Sequence, residues 1–235
     1  MLDRKFWAKY FEVYDVLNEL IPYQELMQDI VDALEVKKGD LILDAGSGTG
    51  NVSMRLEKLG AHVVALDFSE EGQKVHKKKK PKQTEFVLAD LTEDFSFPNN
   101  YFDKIVSNNV LYTLPKEKRE DVFHEFYRIL KPGGKVVISN PSINFKPITI
   151  YFDHIKKDIK KNGLFKTIHK IFKFIYSTGR MFLYNYKIKK EDKVGLYDFF
   201  TIEEKKKIFK KVGFTKISES VLVYSNQGIL NYAYK

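Results

Sequence analysis

The chain has 235 residues, 43% hydrophobic and 30% charged, which is enough apolar side chain to bury one sizeable core. It contains no cysteine, which excludes disulfides, thiolate metal sites and cysteine nucleophiles, and no apolar run approaches the roughly 18 residues of a spanning helix. The formal charge is +9, yet the 40 basic residues divide into 35 Lys and 5 Arg, a poor match to bidentate recognition of phosphates or base edges.

In chain order, FWAKYFEVYDVLNEL is a helical pattern, followed by a second that Pro22 opens and in which Leu26, Ile30, Val31 and Leu34 share a face. LIL, from Leu41, is a short buried strand, and VSMRLEKLG is a helix with Val52, Leu56 and Leu59 on one side. AHVVALD is a second strand ending in Asp67, and KVHKKKKPK from Lys74 is expected to be a solvated helix end. EFVLAD is a third strand ending in Asp90, and YFDKIVSNNV a fourth ending in Ser107-Asn108-Asn109. EDVFHEFYRIL follows as a helix and GGKVVISN as a fifth strand behind a Pro-Gly-Gly turn. Thr201-Ile-Glu-Glu204 reads as a capping box for KKKIFKKVGF, and TKISESVLVYS and QGILNYAYK as two closing strands, the last antiparallel. Strands alternating with helices predict a doubly wound α/β sheet, whose ligands collect at the carboxyl ends of the strands.

Between the first strand and its helix stands DAGSGTGN, with glycines at 46, 48 and 50. A strand-to-helix turn points backbone N–H groups at a ligand, and glycine permits close approach. The dinucleotide fingerprint G-x-G-x-x-G would need glycine at position 51, which is Asn51, and Asp44 would repel a pyrophosphate. A ligand with an ammonium or sulfonium suits that carboxylate better, which favours S-adenosyl-L-methionine (SAM) over a dinucleotide; a glycine turn without a ligand is the remaining alternative.

LDAGSGTG, ALDFS, LADLTEDFSFPNNYFDKIVSNNVLYTLP and YRILKPGGKVVIS, in this order, resemble the class I SAM-dependent methyltransferases over residues 40–140 and again from 200 onward. The resemblance is to the small-molecule and lipid type, such as quinone-biosynthesis and phospholipid methyltransferases. It implies a Rossmann-like, doubly wound sheet of seven strands, mostly parallel with an antiparallel last strand and helices on both faces. Residues 1–235 would then form a single domain with N-terminal helices over 1–38 and a lid or substrate insertion over 141–200.

By the same resemblance, Gly46, Ser47, Gly48 and Gly50 lie against the methionine part of SAM, and Asp44 faces its ammonium. Asp67 accepts hydrogen bonds from the ribose hydroxyls, Phe68 packs on the adenine, and Asp90 takes the adenine amino group with Leu91 beside it. Asn108 serves the methionine end, and Tyr10 or Tyr14 closes over the carboxylate. The product is S-adenosyl-L-homocysteine. Methyl transfer is an in-line displacement that asks for orientation, with a base only where the acceptor loses a proton; His154, His169 and Tyr112 are the candidates.

The acceptor is expected to be a small or lipid-like molecule, with an RNA methyltransferase or a SAM-binding regulator without turnover as the alternatives. Neither a metal nor nucleic acid is an expected partner, and the oligomeric state is not fixed. From Tyr151 to Lys193 there are 12 basic and 4 acidic residues. Within that segment Phe165, Ile168, Ile171, Phe172, Ile175 and Tyr176 follow helical spacing, with Lys166, His169, Lys170 and Lys173 on the other face. The favoured expectation is that the apolar side covers the active site, and a compatible one is that the basic 151–193 segment touches an anionic membrane. The start of the chain lacks the basic-then-apolar order of a signal peptide, so a cytoplasmic location is expected, with a peripheral position at a membrane as the compatible alternative.

Overall fold

The computed structural model describes residues 4–93, 96–193 and 199–235. Asp94 and Phe95 of the third motif, and residues 194–198 at the end of the 141–200 segment, lie outside them.

Seven strands form one sheet, β1 (Leu41–Ala45), β2 (His62–Asp67), β3 (Thr84–Leu88), β4 (Phe102–Asn108), β5 (Leu130–Pro141), β6 (Val221–Val223) and β7 (Gly228–Tyr234). Their order is β3-β2-β1-β4-β5-β7-β6. The first five pair in parallel, and β7 is antiparallel to both β5 and β6. The order reverses direction at β1 and β4, so the carboxyl ends of these two strands flank the switch point at which such sheets bind ligands. Ile42, Leu43, Val63, Val64, Ile105, Val106, Val136 and Val137 are buried on both faces of the sheet, which is why these strands read as continuous apolar runs.

The helices are α1 (Arg4–Tyr14), α2 (Ile21–Leu34), α3 (Ser53–Lys58), α4 (Glu70–Lys78), α5 (Lys116–Ile129), α6 (Pro147–Asn162), α7 (Leu164–Lys193) and α8 (Glu204–Val212). Several sequence expectations change in detail. The first helical pattern breaks, because after Tyr14 the chain tightens into a 3-10 helix, Asp15–Glu19, whose Asp15 is drawn to Thr49 and Lys79. Leu59 lies beyond the end of α3 and is exposed. The lysine run is not wholly solvated: His76 is buried, and Lys79 makes a 2.8 Å ion pair with Asp15. Asp90 lies two residues beyond β3. The capping box is half formed, since Glu204 Oε2 accepts the Thr201 N–H at 3.4 Å while the hydroxyl makes no cap. The sixth strand shrinks to Val221–Val223, and three left-handed residues, Tyr224 to Asn226, turn the chain into β7.

The 141–200 segment holds α6 and α7, joined through Gly163. Asp158 locks that corner, accepting bonds from Thr167 Oγ1 at 2.7 Å, Asn162 Nδ2 at 2.8 Å and Lys170 Nζ at 2.9 Å. These partners hold its carboxyl at about 2 against the opposing effect of burial. Along α7 the buried residues Thr167, Met181 and Ile188 lie on one side. The stripe of Phe165, Phe172 and Tyr176 faces away from the protein, with exposures of 88%, 70% and 72%. The expectation that this apolar side covers the active site is therefore corrected.

The glycine loop is fixed by its protein neighbours. Gly50 has φ +79°, and a Cβ there would stand 2.1 Å from the His76 ring; at Gly46 (φ +82°) it would stand 2.2 Å from Val110. These two glycines serve tight packing of side chains over the loop, not only approach by a ligand. Gly50→Ala should cost about 2–5 kcal/mol in urea unfolding, combining left-handed strain with overpacking. Gly39→Ala has φ +87° but open space around its Cβ, and it should lose only the strain, about 1–2 kcal/mol. Equal losses in the two variants would remove the packing argument.

Candidate functional site

A cleft of about 820 Å³, counting its open mouth, lies over the ends of β1, β2 and β4. Asp44, Gly46, Ser47, Gly48, Asp67, Phe68, Asp90, Leu91, Asn108, Tyr10, Tyr14 and Tyr112 all line it. Three sequence candidates do not. Gly50 packs under His76. His154 Nδ1 accepts the Ile21 N–H at 3.2 Å, at the start of α2. His169 is exposed on α7.

Two buried carboxylates organise the cleft. Asp44 ends β1 and accepts, through Oδ2, the backbone N–H of Ser53 at 3.0 Å and its hydroxyl at 2.6 Å, which ties the strand to the helix after the glycine loop. Asp67 ends β2 and accepts the Gly48 N–H through Oδ2 at 2.7 Å and the Ser69 N–H through Oδ1 at 2.8 Å. Among the described residues neither makes an ion pair. Burial therefore dominates and pushes each carboxyl up to about 6, against the lowering effect of those hydrogen bonds. Each carboxylate oxygen has two lone pairs, so both groups retain acceptor capacity toward a ligand. Asp90 is partly committed, since its Oδ1 takes the N–H and hydroxyl of Thr92, both at 2.8 Å.

Ser47 Oγ and Asn108 Oδ1 are buried with no hydrogen-bond partner, and both residues line the cleft. Buried polar atoms are nearly always paired in folded proteins, so these two call for a polar ligand or ordered water. Uncompensated carboxylates and orphaned polar atoms gathered in one cleft fit a molecule with a cationic group and several hydroxyls, as SAM has.

Trp7, Phe11, Tyr23, Val110 and Thr113 also line the cleft without having been singled out from the sequence, as does Asn109 at the end of β4. The signal present was the spacing of Trp7, Tyr10, Phe11 and Tyr14, which puts four aromatic rings on one face of α1. Asn51 is not a failed glycine: its amide Nδ2 donates to Tyr23 Oη at 3.3 Å and its Oδ1 accepts from Asn18 and Lys79, both at 2.9 Å. It thereby binds the glycine loop to the N-terminal segment. Tyr10, Tyr14, Asn109 and Tyr112 also border a small second cavity, completed by Phe145, Asn185, Ile188, Phe199 and Tyr224. Part of the 141–200 segment thus reaches the site, through residues other than the apolar stripe of α7.

Residues 43–138 match the family described as "Methyltransferase domain". A demethylmenaquinone methyltransferase of Paenarthrobacter aurescens (strain TC1) is 31% identical over 149 residues, 61% of this chain and 57% of that protein. The chain thus matches under two thirds of that relative's length. A demethylmenaquinone methyltransferase of Oceanobacillus iheyensis is 29% identical over 218 residues, 88% of this chain and 84% of that protein. A solved SAM-dependent methyltransferase from Aquifex aeolicus superposes with a TM-score of 0.63 at 16% identity, covering 99% of this chain and 98% of that one, which shows a shared fold.

Among the described residues no group of three or more His, Asp or Glu is placed to hold a metal, and no helix is long and apolar enough to cross a membrane.

The raised carboxyls give a pH signature. A carboxyl raised in the folded state contributes stability that is full below its unfolded value near 4 and is lost as pH rises through about 6. Asp44→Asn keeps an acceptor for Ser53 but cannot ionise. Relative to wild type it should gain stability between pH 4 and pH 7, on the order of 3 kcal/mol, in urea titrations of the unliganded protein. A difference independent of pH would show that Asp44 carries no desolvation penalty.

Proposed function

We propose that this chain is a class I SAM-dependent methyltransferase that transfers a methyl group from SAM to a small or lipid-like acceptor. The observation that carries the reading is the pair of buried, ionisable carboxylates at the ends of β1 and β2 in one cleft, with no cation paired to them among the described residues. When bound, SAM supplies an electrophilic methyl on a sulfonium.

The chain's own residues bind and orient. Asp44 faces the ammonium, and the loop from Gly46 to Gly48 lies beside the methionine part. Asp67, already held rigid by Gly48 and Ser69, accepts the two ribose hydroxyls. Phe68 and Leu91 sandwich the adenine, and Asp90 takes its amino group with the oxygen that Thr92 leaves free. Ser47 and Asn108 satisfy their orphaned atoms on the cofactor. Tyr10, Tyr14 and Tyr112 line both the cleft and the second cavity, which supports a position for the acceptor beside them. Their aromatic walls would exclude water and hold an acceptor's nucleophile in line with the methyl of a bound cofactor. Tyr112 is the candidate to receive or relay a proton where the acceptor must lose one; His154 and His169 lie outside the cleft.

The single-domain organisation, with α6 and α7 as a substrate insertion, belongs to the same reading. So does peripheral contact of the basic 151–193 segment with a membrane.

Isothermal calorimetry with S-adenosyl-L-homocysteine tests the cofactor site. Asp67→Ala should weaken binding by about 1.5–3 kcal/mol, the scale of hydrogen bonds to a charged group. Affinity should also fall as pH drops through about 6, because the ligand requires ionised Asp44 and Asp67. Unchanged affinity in Asp67→Ala removes that residue from the site. Incubation with methyl-labelled SAM and a lysate lipid and metabolite extract tests turnover, read by mass spectrometry of labelled products; label confined to SAM would refute it.

A further inference from the structure

Outside the cleft, a groove of about 360 Å³ runs between α6, α7 and the 3-10 helix Asp15–Glu19. Its walls are Leu20, Ile148, Ile155, Ile171, Ile175 and Phe182. Two of its polar groups are engaged elsewhere, Lys170 with Asp158 and His154 with the Ile21 N–H, while Glu19 and Thr178 also border it. A groove of this size and lining exceeds the roughly 150 Å³ apolar cavity that accommodates a benzene ring. Tyr151 stands at its inner end, 6.1 Å from the Phe182 ring, with its buried hydroxyl unpartnered. Tyr224 lines the small cavity bordered by Tyr10, Tyr14 and Tyr112, and its ring lies 5.9 Å from that of Tyr23 in the cleft wall.

At its outer end the groove opens beside the exposed stripe of α7. Ile175 belongs to both, and Phe165, Phe172 and Tyr176 continue the apolar surface. The exposed cations Lys166 and Lys173 lie along one flank of the stripe on α7, and Lys160 and Lys161 are exposed at the end of α6 that leads into it. Bulky apolar side chains flanked by lysines match an anionic lipid surface, with the rings among acyl chains and the ammonium groups at the phosphates. A soluble peptide partner would give the lysines no such shared reason to flank the rings.

We propose that the groove is a second binding site that takes the hydrocarbon chain of an amphiphilic acceptor, loaded from an anionic bilayer on which the α7 stripe docks. The acceptor's polar end would then reach the tyrosine-lined cavity beside the cleft. The word acceptor rests on the methyl-transfer reading; the groove and the docking face do not.

Gly179 supplies the discriminating variant, because it lines the groove in mid-helix and an added Cβ meets nothing within 4 Å. Gly179→Trp should therefore fill the groove and leave the helix intact. With cis-parinaric acid, a fluorescent polyene fatty acid, as the probe, wild type should bind and Gly179→Trp should bind at least about tenfold more weakly. Its affinity for S-adenosyl-L-homocysteine should be unchanged. The triple variant Phe165→Ser, Phe172→Ser, Tyr176→Ser should keep the probe but lose sedimentation with phosphatidylglycerol vesicles, which wild type should show at low salt and not with phosphatidylcholine vesicles. Equal probe affinity in wild type and Gly179→Trp overturns the tail site. Equal sedimentation with both vesicle types overturns the bilayer, and a dimer that the triple variant dissolves assigns the face to a second copy. If S-adenosyl-L-homocysteine fails to bind while the probe and vesicle results hold, the methyl-transfer reading fails and the lipid site stands.

Discussion

The structure depends on two carboxylates that are kept in the protein interior at the ends of neighbouring strands. Asp44 and Asp67 each accept backbone N–H groups from the turn that follows a strand, and Asp67 reaches across to Gly48 in the loop after β1. One pair of side chains therefore sets both the start of α3 and the path of the glycine loop between β1 and β2. Burial of charge without a cation is costly, and the raised carboxyl values record that cost. A ligand with positive charge and hydroxyls relieves it, so the same feature that strains the unliganded protein makes binding favourable. Stability and recognition draw on the same atoms in opposite directions.

The N-terminal segment closes the site through a second network. Asp15 accepts from Thr49 at 2.7 Å and pairs with Lys79, whose ammonium also reaches Asn51. Loop, 3-10 helix and the end of α4 are thereby held in one cluster. That cluster fixes α1 so that Trp7, Tyr10, Phe11 and Tyr14 form a continuous aromatic wall, with Tyr10 and Tyr14 centroids 5.2 Å apart. The deep burial of Tyr10, Tyr14 and Tyr23 pushes their hydroxyls above the usual tyrosine range. They stay protonated, as hydrogen-bond donors against an acceptor and not as bases.

Much of this was legible in the sequence because it follows from short-range pattern. Apolar runs ending in Asp44, Asp67 and Asn108 mark strands whose carboxyl ends meet, and the alternation with helices forces the parallel order. The roles of Asn51 and Gly50 were not legible, since each depends on a partner far away in the chain: Tyr23, Asn18 and Lys79 for one, His76 for the other. His154 looked like a candidate base, and only the tertiary structure brings it to the start of α2, 133 residues away in sequence. The break after Tyr14 was hidden for the same reason, because helical periodicity continues through residues that tertiary bonds pull into a tighter turn.

The long helix α7 shows the limit of periodicity most plainly. Helical spacing reveals that a stripe exists and what shares it, but not which side of the helix meets the protein. Phe165, Phe172 and Tyr176 carry the larger apolar side chains, so burial of that side is the natural reading of the sequence. The protein instead buries the side marked by Thr167, Met181 and Ile188, where Asp158 ties Thr167 and Lys170 to the neighbouring helix. Once that polar lock fixes the rotation of α7, the aromatic stripe has nowhere to go but outward. A helix that is apolar on two sides and packed on one has an unfilled requirement for an apolar environment on the other. Phe165, Phe172 and Tyr176 therefore stay exposed beside the equally exposed Lys166 and Lys173, which share one flank of the helix.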